Sequence, residues 1–432
     1  MVEGEGRQSL WRGVPFRAST EPSMASRFLF TSVVLQPTSA CNLNCAYCYV
    51  PGRNRDNRML ASVTEGVARM IEELPAGKPI DVLWHCGEPL ACGPEYFAKL
   101  IAPFAELEKA GRVTHSVQTN ATLIDARWLD LFRAHPALTV GVSLDGPSWA
   151  NLARVDWKGA ESYERALRGI SRLQAANIEF DLLAVVTDQL LDQARVLYDF
   201  FAGLGCRTLG INVEERAGIN DRRDMVGGPR VQKFWRELAL AWKESPVIDI
   251  RELGFFATYW DEHPSKDLDE RTRNEVPLRT VLYPTIGWNG DVVFLSPEFL
   301  QNPSPKYHDF VVGNVHQDPL LRIIGRAKKA PYVTDYLAGT DACRETCRYF
   351  GFCAGGYAHA KYFEHGTTAA TETSNCKNGR QHLFDALDAA TRSIAVATKR
   401  DVGDVSGVEE WLAPCASANP FNALASALAA AG

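Results

Sequence analysis

Two kinds of hydrophobic pattern alternate along residues 32–214, with six segments of the first kind and five of the second. Short, nearly continuous apolar runs mark six predicted strands: SVVLQP (32–37), IDVLWH (80–85), THSVQTN (114–120), LTVGVSLD (138–145), IEFDLLAVV (178–186) and RTLGINVE (207–214). Between them lie segments with helical spacing, which are VTEGVARMIEEL, EYFAKLIAPFAELEKA, DARWLDLFRA, SYERALRGISRLQAA and ARVLYDFFAGLG. This alternation is typical of a parallel sheet covered by helices. Six units are too few for a closed eight-stranded barrel, so we predict an α/β fold, a partial (β/α)6 TIM-like barrel.

The segments outside these units suggest how the chain is divided. We expect a polar N-terminal arm at 1–26, the core barrel at 27–215, a helical connector packed on the barrel at 216–275, a cysteine-bearing domain at 276–400 and an Ala-rich tail at 401–432. Within the fourth segment, Asn289-Gly290 between apolar flanks predicts a β-hairpin. A length of 432 residues agrees with two or three domains.

Polar or Gly-rich features follow four successive predicted strands. Cys41 follows the first strand, Gly87-Glu88-Pro89 the second, Gln118 to Asn120 the third, and Ser143 to Asp145 the fourth. In barrels of this kind the functional residues lie just beyond the C-terminal ends of the strands. We therefore expect these four features to meet at one end of the barrel.

Charge and composition narrow the function. A net charge of -6 argues against general nucleic-acid binding. The sequence contains no run of about 18 apolar residues, so we expect no membrane span. The first residues have no apolar signal segment, so the eleven cysteines favour a reducing, cytoplasmic setting in which clustered thiols bind metal. Seven cysteines form two clusters. The other four are interpreted as small buried or incidental thiols: Cys86, Cys92, Cys206 and Cys415.

The first cluster has three cysteines, Cys41, Cys45 and Cys48. A structural zinc site is closed by four protein ligands, and a cubane iron–sulfur cluster also normally takes four cysteines. Three thiols therefore leave one iron open to a small molecule. The alternative is a zinc site completed by Cys86, Cys92 or His85.

The spacing C-x3-C-x2-C with Tyr47 before the last cysteine resembles the signature of the radical SAM superfamily. WHCGEP (84–89) resembles the G-G-E-P motif of that superfamily, although Cys86 occupies its first glycine position. SLDGP (143–147) followed by Arg154 resembles a pattern of its peptide-modifying branch. The resemblance implies a [4Fe–4S] cluster, S-adenosyl-L-methionine (SAM) bound to its open iron, and a 5′-deoxyadenosyl radical that abstracts hydrogen from a substrate.

By the same resemblance, Cys41, Cys45 and Cys48 are the catalytic cluster ligands. Arg154 would bind the SAM carboxylate, with a surface helix-cap charge as the alternative, and Asp145 would shape the Asp-Gly-Pro turn. The expected cofactor-binding residues are Tyr47, Gly87, Glu88, Pro89, Gln118, Asn120, Ser143 and Arg154.

The second cluster has four cysteines, Cys343, Cys347, Cys353 and Cys376, enough to close a site. Their layout resembles the SPASM or twitch extension of radical SAM peptide maturases. The early cysteine of a full SPASM domain is replaced by Leu295 and Ser296. We therefore expect one auxiliary [4Fe–4S] cluster, with a structural zinc ion or a second or partial cluster as alternatives.

The strings C-x3-C-x-Y-F-x2-C-x-G-G, K-Y-F-E-x-G and T-E-T-x2-C resemble the cyclophane-forming branch of these maturases, as does LYDFFAGLGCRTLGINVEE. The resemblance implies a carbon–carbon crosslink between an aromatic ring and a nearby β-carbon of a ribosomal precursor peptide. It also implies an external flavodoxin- or ferredoxin-type electron donor and leaves room for a separate peptide-recognition protein. Rival readings are thioether formation, epimerisation, formylglycine maturation of a sulfatase, or a non-catalytic iron–sulfur protein. Candidate proton acceptors are Glu214, Glu215, Asp145, His359 and His365.

Overall fold

The structure, a computed structural model, describes residues 30–75, 77–221, 227–262 and 283–397. The predicted arm at 1–26 and the predicted tail at 401–432 lie outside these ranges, as do residues 263–275 of the predicted connector. The domain limits themselves stay predictions.

The six predicted strands are confirmed to within two residues at each end, and each runs parallel to its neighbours. Both faces of the first two strands are buried, which explains their continuous apolar runs. The strands are β1 Ser32–Leu35, β2 Ile80–Trp84, β3 Val113–Thr119, β4 Leu138–Ser143, β5 Phe180–Val186 and β6 Thr208–Val213.

The predicted helices between the strands are present, with one difference. The single helix expected over 95–110 is broken by a 3-10 turn at Ala102–Phe104, because Pro103 has no N–H for the helical hydrogen-bond ladder. Asp125 caps the following helix by accepting a hydrogen bond from the Trp128 N–H at 3.1 Å. The helices span Ala61–Glu73, Pro94–Ile101, Ala105–Lys109, Ala126–Ala134, Tyr163–Ala175 and Ala194–Leu204.

The predicted connector contributes a strand as well as helices. It contains helix Pro229–Glu244, strand β7 Asp249–Ile250 and helix Arg251–Glu262, and β7 pairs in parallel with β6. Buried Trp235 donates its indole N–H to the carbonyl of Asn378 at 2.8 Å, which ties the first of these helices to the C-terminal segment. The connector therefore extends the sheet at one edge.

The predicted hairpin is confirmed and extends the opposite edge. Its strands, β8 Thr285–Ile286 and β9 Asp291–Val293, are antiparallel, and Gly290 in their turn has a φ of 84°. Because β8 also pairs in parallel with β1, and β10 Gly313–Asn314 pairs with β9, the sheet has the order β10-β9-β8-β1-β2-β3-β4-β5-β6-β7. The core is thus a partial α/β barrel whose β1 edge is covered by the C-terminal segment.

The C-terminal segment packs mainly through helices and aromatic rings. Phe299 and Phe310 stack at 4.1 Å between ring centroids, and Tyr332 and Tyr362 pack edge-on against Phe310. The helices span Leu320–Ala327, Pro331–Thr346, Phe350–Cys353, Ala358–His365, Ser374–Cys376 and, after the π-helical turn Lys377–Gln381, His382–Ala397.

Candidate active site

A cavity of about 340 Å³ opens at the C-terminal ends of the barrel strands. The four features that the sequence placed after β1 to β4 all reach it, and residues after β6 and from the C-terminal segment close its other side. A volume in this range is ordinary for a small-molecule or cofactor site. The predicted convergence on one end of the barrel is confirmed.

The cysteine loop, residues 41–48, forms one wall of this cavity, which Cys41, Cys45 and Cys48 all line. The loop is held by backbone hydrogen bonds from the Ala46 N–H to the Ala153 carbonyl at 2.9 Å and from the Cys41 N–H to the Arg53 carbonyl at 2.8 Å.

Burial disfavours the thiolate forms of Cys41 and Cys45 unless a cation is present. Burial raises the pKa of the Cys45 thiol to about 11 against the opposing charge of Arg154, and burial beside Glu88 raises the pKa of Cys41 further. A metal centre supplies the positive charge that converts such thiols to thiolates. The donor set and its environment therefore fit a metal–sulfur centre.

Gly87 packs against residues 38–40, which lead into the cysteine loop. Its φ is 126°, and a Cβ on it would lie 2.6 Å from the Thr38 carbonyl oxygen, so only glycine fits. Gly87 was predicted to bind the cofactor and does line the cavity, but its described close contact is with this backbone. The next residue, Glu88, continues the contact by donating its N–H to the Ala40 carbonyl at 2.8 Å.

The Glu88 carboxylate joins the ends of β2 and β3. It accepts hydrogen bonds from the Thr119 hydroxyl at 2.7 Å and from the backbone N–H groups of Asn120 and Leu90. Burial raises the pKa of Glu88 to about 7, although these hydrogen bonds oppose the shift. Pro89 is buried at the start of a 3-10 turn and is the one predicted cofactor-binding residue that does not line the cavity.

Cys86 replaces the first motif glycine at an unusual backbone position. Its φ of 66° lies in the left-handed region, and its side chain is buried beside the Tyr49 hydroxyl, 4.0 Å from the sulfur. Tyr49 also hydrogen-bonds His85 Nε2 at 3.1 Å. Cys86 thus behaves as a small buried residue.

Asp145 organises a buried ion pair beside the cysteine loop. Its Oδ2 accepts hydrogen bonds from the Tyr47 hydroxyl at 2.5 Å and from Arg154 Nε at 3.0 Å, while Oδ1 accepts the Val185 N–H at 3.0 Å. Arg154 is 7% exposed and lies over the Tyr47 ring, so the surface-cap alternative for it is wrong. Asp145 positions Arg154 and Tyr47, a role beyond turn formation.

The remaining predicted contacts form short hydrogen bonds on the same side of the cavity. Gln118 donates its amide N–H to the Ser143 hydroxyl at 2.8 Å, and Asn120 donates to the Asn42 side chain at 2.9 Å. The predicted residues that line the cavity are Tyr47, Gly87, Glu88, Gln118, Asn120, Ser143 and Arg154.

The same cavity is lined by a cluster of Glu215, Ser296, Glu298 and His359, called here the His359 cluster. His359 Nε2 lies 3.2 Å from Glu215, and Nδ1 lies 2.8 Å from the Ser296 hydroxyl and 3.5 Å from Glu298. Burial alone would lower the pKa of His359, but Glu298 and Glu215 outweigh it and raise that pKa to about 9. The sequence identified His359 and Glu215 as candidates but missed Glu298, which follows the hairpin in an otherwise apolar string.

Of the other residues predicted from the sequence as proton acceptors, only one lines the cavity. Glu214 lines the cavity, whereas Asp145 is committed to Tyr47 and Arg154. His365 is not among the cavity residues, and its Nε2 bonds the carbonyl of Glu372 at 2.8 Å.

The second cysteine group, Cys343, Cys347, Cys353 and Cys376, surrounds a small cavity of about 20 Å³. The backbone turns sharply after Cys353, with positive φ at the next three residues, and Thr373 holds Cys376 through reciprocal backbone and side-chain hydrogen bonds. Buried Lys361 lies 4.0 Å from the Cys343 sulfur. Four thiols around one small space fit a closed centre.

Within the ranges that the structure describes, no three Cys, His, Asp or Glu side chains have the arrangement that a single metal ion needs. In the same part of the chain, no helix is long and apolar enough to span a bilayer.

The family pattern of the radical SAM superfamily matches residues 35–201. An uncharacterized protein of Synechocystis sp. is 33% identical over 369 residues, which cover 82% of this chain and 90% of that protein. The serine-type anaerobic sulfatase-maturating enzyme of Klebsiella aerogenes is 36% identical over 183 residues, or 41% of this chain and 45% of that enzyme. The chain thus matches about half the length of that enzyme.

Two solved structures share the fold. Native anSMEcpe with bound AdoMet and Cp18Cys peptide has a TM-score of 0.67 at 22% identity, covering 85% of this chain and 99% of that one. Streptococcus suis SuiB bound to precursor peptide SuiA has a TM-score of 0.60 at 18% identity, covering 81% of this chain and 76% of that one.

The open barrel, with a three-cysteine loop at the cavity where its strands end, is the architecture of an enzyme that works through an iron–sulfur cluster. The chain belongs to the radical SAM superfamily. Enzymes of this superfamily use a [4Fe–4S] cluster and SAM.

Proposed function

We propose that this enzyme modifies a precursor peptide by joining an aromatic ring to the β-carbon of a nearby residue. The short strings of the second cysteine group support this crosslink through their resemblance to cyclophane-forming maturases. The relatives support the broader class, because anSMEcpe and SuiB were solved with peptides. A cavity that opens at one end of a partial barrel is accessible to an extended chain.

The cofactors have defined places in this proposal. Cys41, Cys45 and Cys48 hold the SAM-binding cluster, and Cys343, Cys347, Cys353 and Cys376 hold one auxiliary [4Fe–4S] cluster. When bound, these groups supply a hydrogen-abstracting radical and accept one electron. Around them, Ser143 and Arg154 provide hydroxyl and guanidinium donors for SAM, and Tyr47 and Asp145 orient Arg154. Gly87 and Glu88 hold the backbone that leads into the cysteine loop.

The observation that carries the proposal is the His359 cluster in the same cavity as the cysteine loop. Crosslinking removes two hydrogens from the peptide: one leaves the β-carbon as a hydrogen atom, and the other leaves the ring as a proton and an electron. The chain must therefore supply a proton acceptor near the site of hydrogen abstraction. The carboxylates beside His359 meet this need.

Glu298 is the best placed of these carboxylates. Both oxygens of Glu215 are engaged, one by His359 and one by the Asn375 amide at 2.7 Å. Ser296 and His359 both contact Oε2 of Glu298, whereas no described residue donates a hydrogen bond to Oε1. We assign proton removal to Glu298, with His359 positioning it.

Replacing Glu298 tests this assignment. We expect E298Q to keep its iron and to cleave SAM to 5′-deoxyadenosine, but to form crosslinked peptide about 10²–10⁴-fold more slowly, which is the range that a general base contributes. E214Q, in a neighbouring cavity carboxylate, is the comparison variant. If E298Q and wild type form the same amount of crosslinked peptide per SAM cleaved, Glu298 does not have this role.

Formylglycine formation is the second candidate, because the chain resembles anaerobic sulfatase-maturating enzymes. The hairpin argues for the crosslink: Ser296 takes the place of an early cluster cysteine, and its hydroxyl bonds His359 in the main cavity. Iron and sulfide analysis of anaerobically purified protein should find about eight irons per chain. A value near four would exclude an auxiliary cluster.

Co-expression with a short peptide encoded beside the gene tests the reaction itself. A crosslink gives a loss of two hydrogens per motif, no backbone fragments between the joined residues in tandem mass spectrometry, and no reaction with a hydrazide probe. An aldehyde that reacts with hydrazide would favour formylglycine. An unchanged peptide mass would contradict both.

The remaining partners are proposals that the same system can examine. A flavodoxin- or ferredoxin-type protein would supply electrons to the first cluster, and a separate recognition protein could present the peptide. Omitting each candidate from a purified reaction measures its contribution to turnover.

A further inference from the structure

Arg53 is a buried cation that follows the cysteine loop. It lies five residues after Cys48, lines the main cavity and is 7% exposed. Its carbonyl accepts the Cys41 N–H at 2.8 Å, so its backbone is fixed against the first cysteine.

The guanidinium of Arg53 lacks an anionic partner among the described residues. Its Nη2 donates to the Asn44 side chain at 3.1 Å, and its Cζ lies 5.8 Å from the centre of the Trp157 ring. Its Nη1 is buried, and no described residue forms a hydrogen bond with it. Arg154, equally buried in the same cavity, has Asp145 as its counter-charge.

A buried arginine needs an anion, because burial removes the water that would otherwise stabilise its charge. Asn44 and Trp157 are neutral, so they do not provide this. Since Arg53 lines the cavity, an anion that occupies this cavity would supply the charge. A [4Fe–4S] centre held by three thiolates carries net negative charge, and SAM brings a carboxylate.

We propose that Arg53 is an anion-binding residue of the loaded site, and that its partner is the thiolate-ligated cluster rather than the SAM carboxylate. This inference rests on the proposed cluster at Cys41, Cys45 and Cys48. A fixed positive charge at this position stabilises the more negative, reduced cluster. Arg53 thereby eases the electron delivery that precedes SAM cleavage.

The test compares R53Q, R53K and N44A with wild type in the full, anaerobically reconstituted protein. R55Q is the control, because exposed Arg55 makes only backbone hydrogen bonds among the described contacts. Iron content is measured first, then the midpoint potential of the first cluster without SAM by redox titration followed by electron paramagnetic resonance. SAM affinity is measured by equilibrium dialysis.

We expect R53Q to lower the ratio of reduced to oxidised cluster about tenfold at a fixed potential, which is a shift of about 59 mV for one electron. R53K, N44A and R55Q should stay close to wild type. A tenfold loss of SAM affinity in R53Q at unchanged potential would identify the carboxylate as the anion. If R53Q fails to load iron while R53K, N44A and R55Q load it normally, this would also support the cluster as the anionic partner of Arg53.

The loss of SAM affinity at unchanged potential would overturn the assignment to the cluster, and two further results would do so as well. One is an iron-loaded R53Q with wild-type potential and wild-type SAM affinity. The other is an N44A variant that reproduces the R53Q defect, since that would show a structural role for the Asn44 contact. By contrast, a wild-type protein that binds no iron at Cys41, Cys45 and Cys48 would end the proposed function itself.

Discussion

Replacing Asp145 by asparagine removes one negative charge from the buried ion pair while keeping the shape of the side chain. The remaining oxygen can still accept the Val185 N–H, but the new amide N–H group meets two donors, the Tyr47 hydroxyl and Arg154 Nε. The tyrosine hydroxyl can rotate to accept, whereas Nε cannot. Arg154 is then left buried without its ion-pair partner.

The expected cost follows from this burial. The side chains of Asp145 and Arg154 are 1% and 9% exposed, and breaking such a pair by removing one partner costs about 3–5 kcal/mol. Unfolding entropy is about 2.1 cal/mol/K per residue, so a chain of 432 residues gains about 0.9 kcal/mol/K. We therefore expect D145N to lower the unfolding midpoint by about 3–6 °C.

The assay is differential scanning fluorimetry of iron-loaded protein under anaerobic conditions, supported by urea unfolding followed by tryptophan fluorescence. D199N is the matched control, because Asp199 and Arg195 lie at the same 3.0 Å but are more than half exposed. The exposed pair should leave the midpoint unchanged within error. A D145N/R154M double variant, which removes both charges, should be more stable than D145N.

Equal midpoints for D145N and D199N would refute this reasoning, because distance alone would then set the strength of the pair. A double variant no more stable than D145N would also count against it. In that case the loss would come from the Tyr47 or Val185 hydrogen bonds, and the stranded charge of Arg154 would be unimportant.

Three further outcomes are expected. The folded-state pKa of His359 is raised to about 9 from 6.5, so the stabilisation from its protonation is complete below pH 6.5 and is lost as pH rises through about 9. The free energy of unfolding in urea should therefore fall between pH 6 and 9.5 by on the order of 3 kcal/mol less in H359Q than in wild type. The same pH dependence in both proteins would show that another group binds the proton. G169A should destabilise the enzyme by about 1–3 kcal/mol, since the new Cβ would meet the Ala121 carbonyl, while G203A, with open space in its helix, should be neutral or stabilising; similar midpoints for both would contradict the packing. C353S should bind fewer irons than wild type yet still cleave SAM, and wild-type iron content in C353S would exclude Cys353 as a ligand.

Local sequence patterns were enough to locate the barrel strands and the cysteine loop. A buried parallel strand is apolar along its whole length, and the C-x3-C-x2-C spacing lies within one loop, so neither depends on distant residues. The break at Pro103 was also present in the sequence, but helical periodicity on both sides of it concealed the 3-10 turn. Proline chemistry would have identified that break.

Contacts between distant segments could not be read in the same way. Strands β7 and β8 have two residues each, too few to show a periodicity, and they are strands because their backbones pair with β6 and β1. Glu298 follows the hairpin and gains its proposed role only because folding brings His359, far away in the chain, beside it, and with His359 comes Glu215.

The sequence by itself determined the superfamily, the open three-thiol loop and the order of strands and helices. Each of these depends on a pattern of residues that are close to one another in the chain. Only the tertiary structure decided which charges are paired. Arg53 and Arg154 look alike in the sequence, yet folding buries both and gives a carboxylate to Arg154 alone. The cost of a buried charge depends on its neighbours in space, and the linear order of residues does not contain that information.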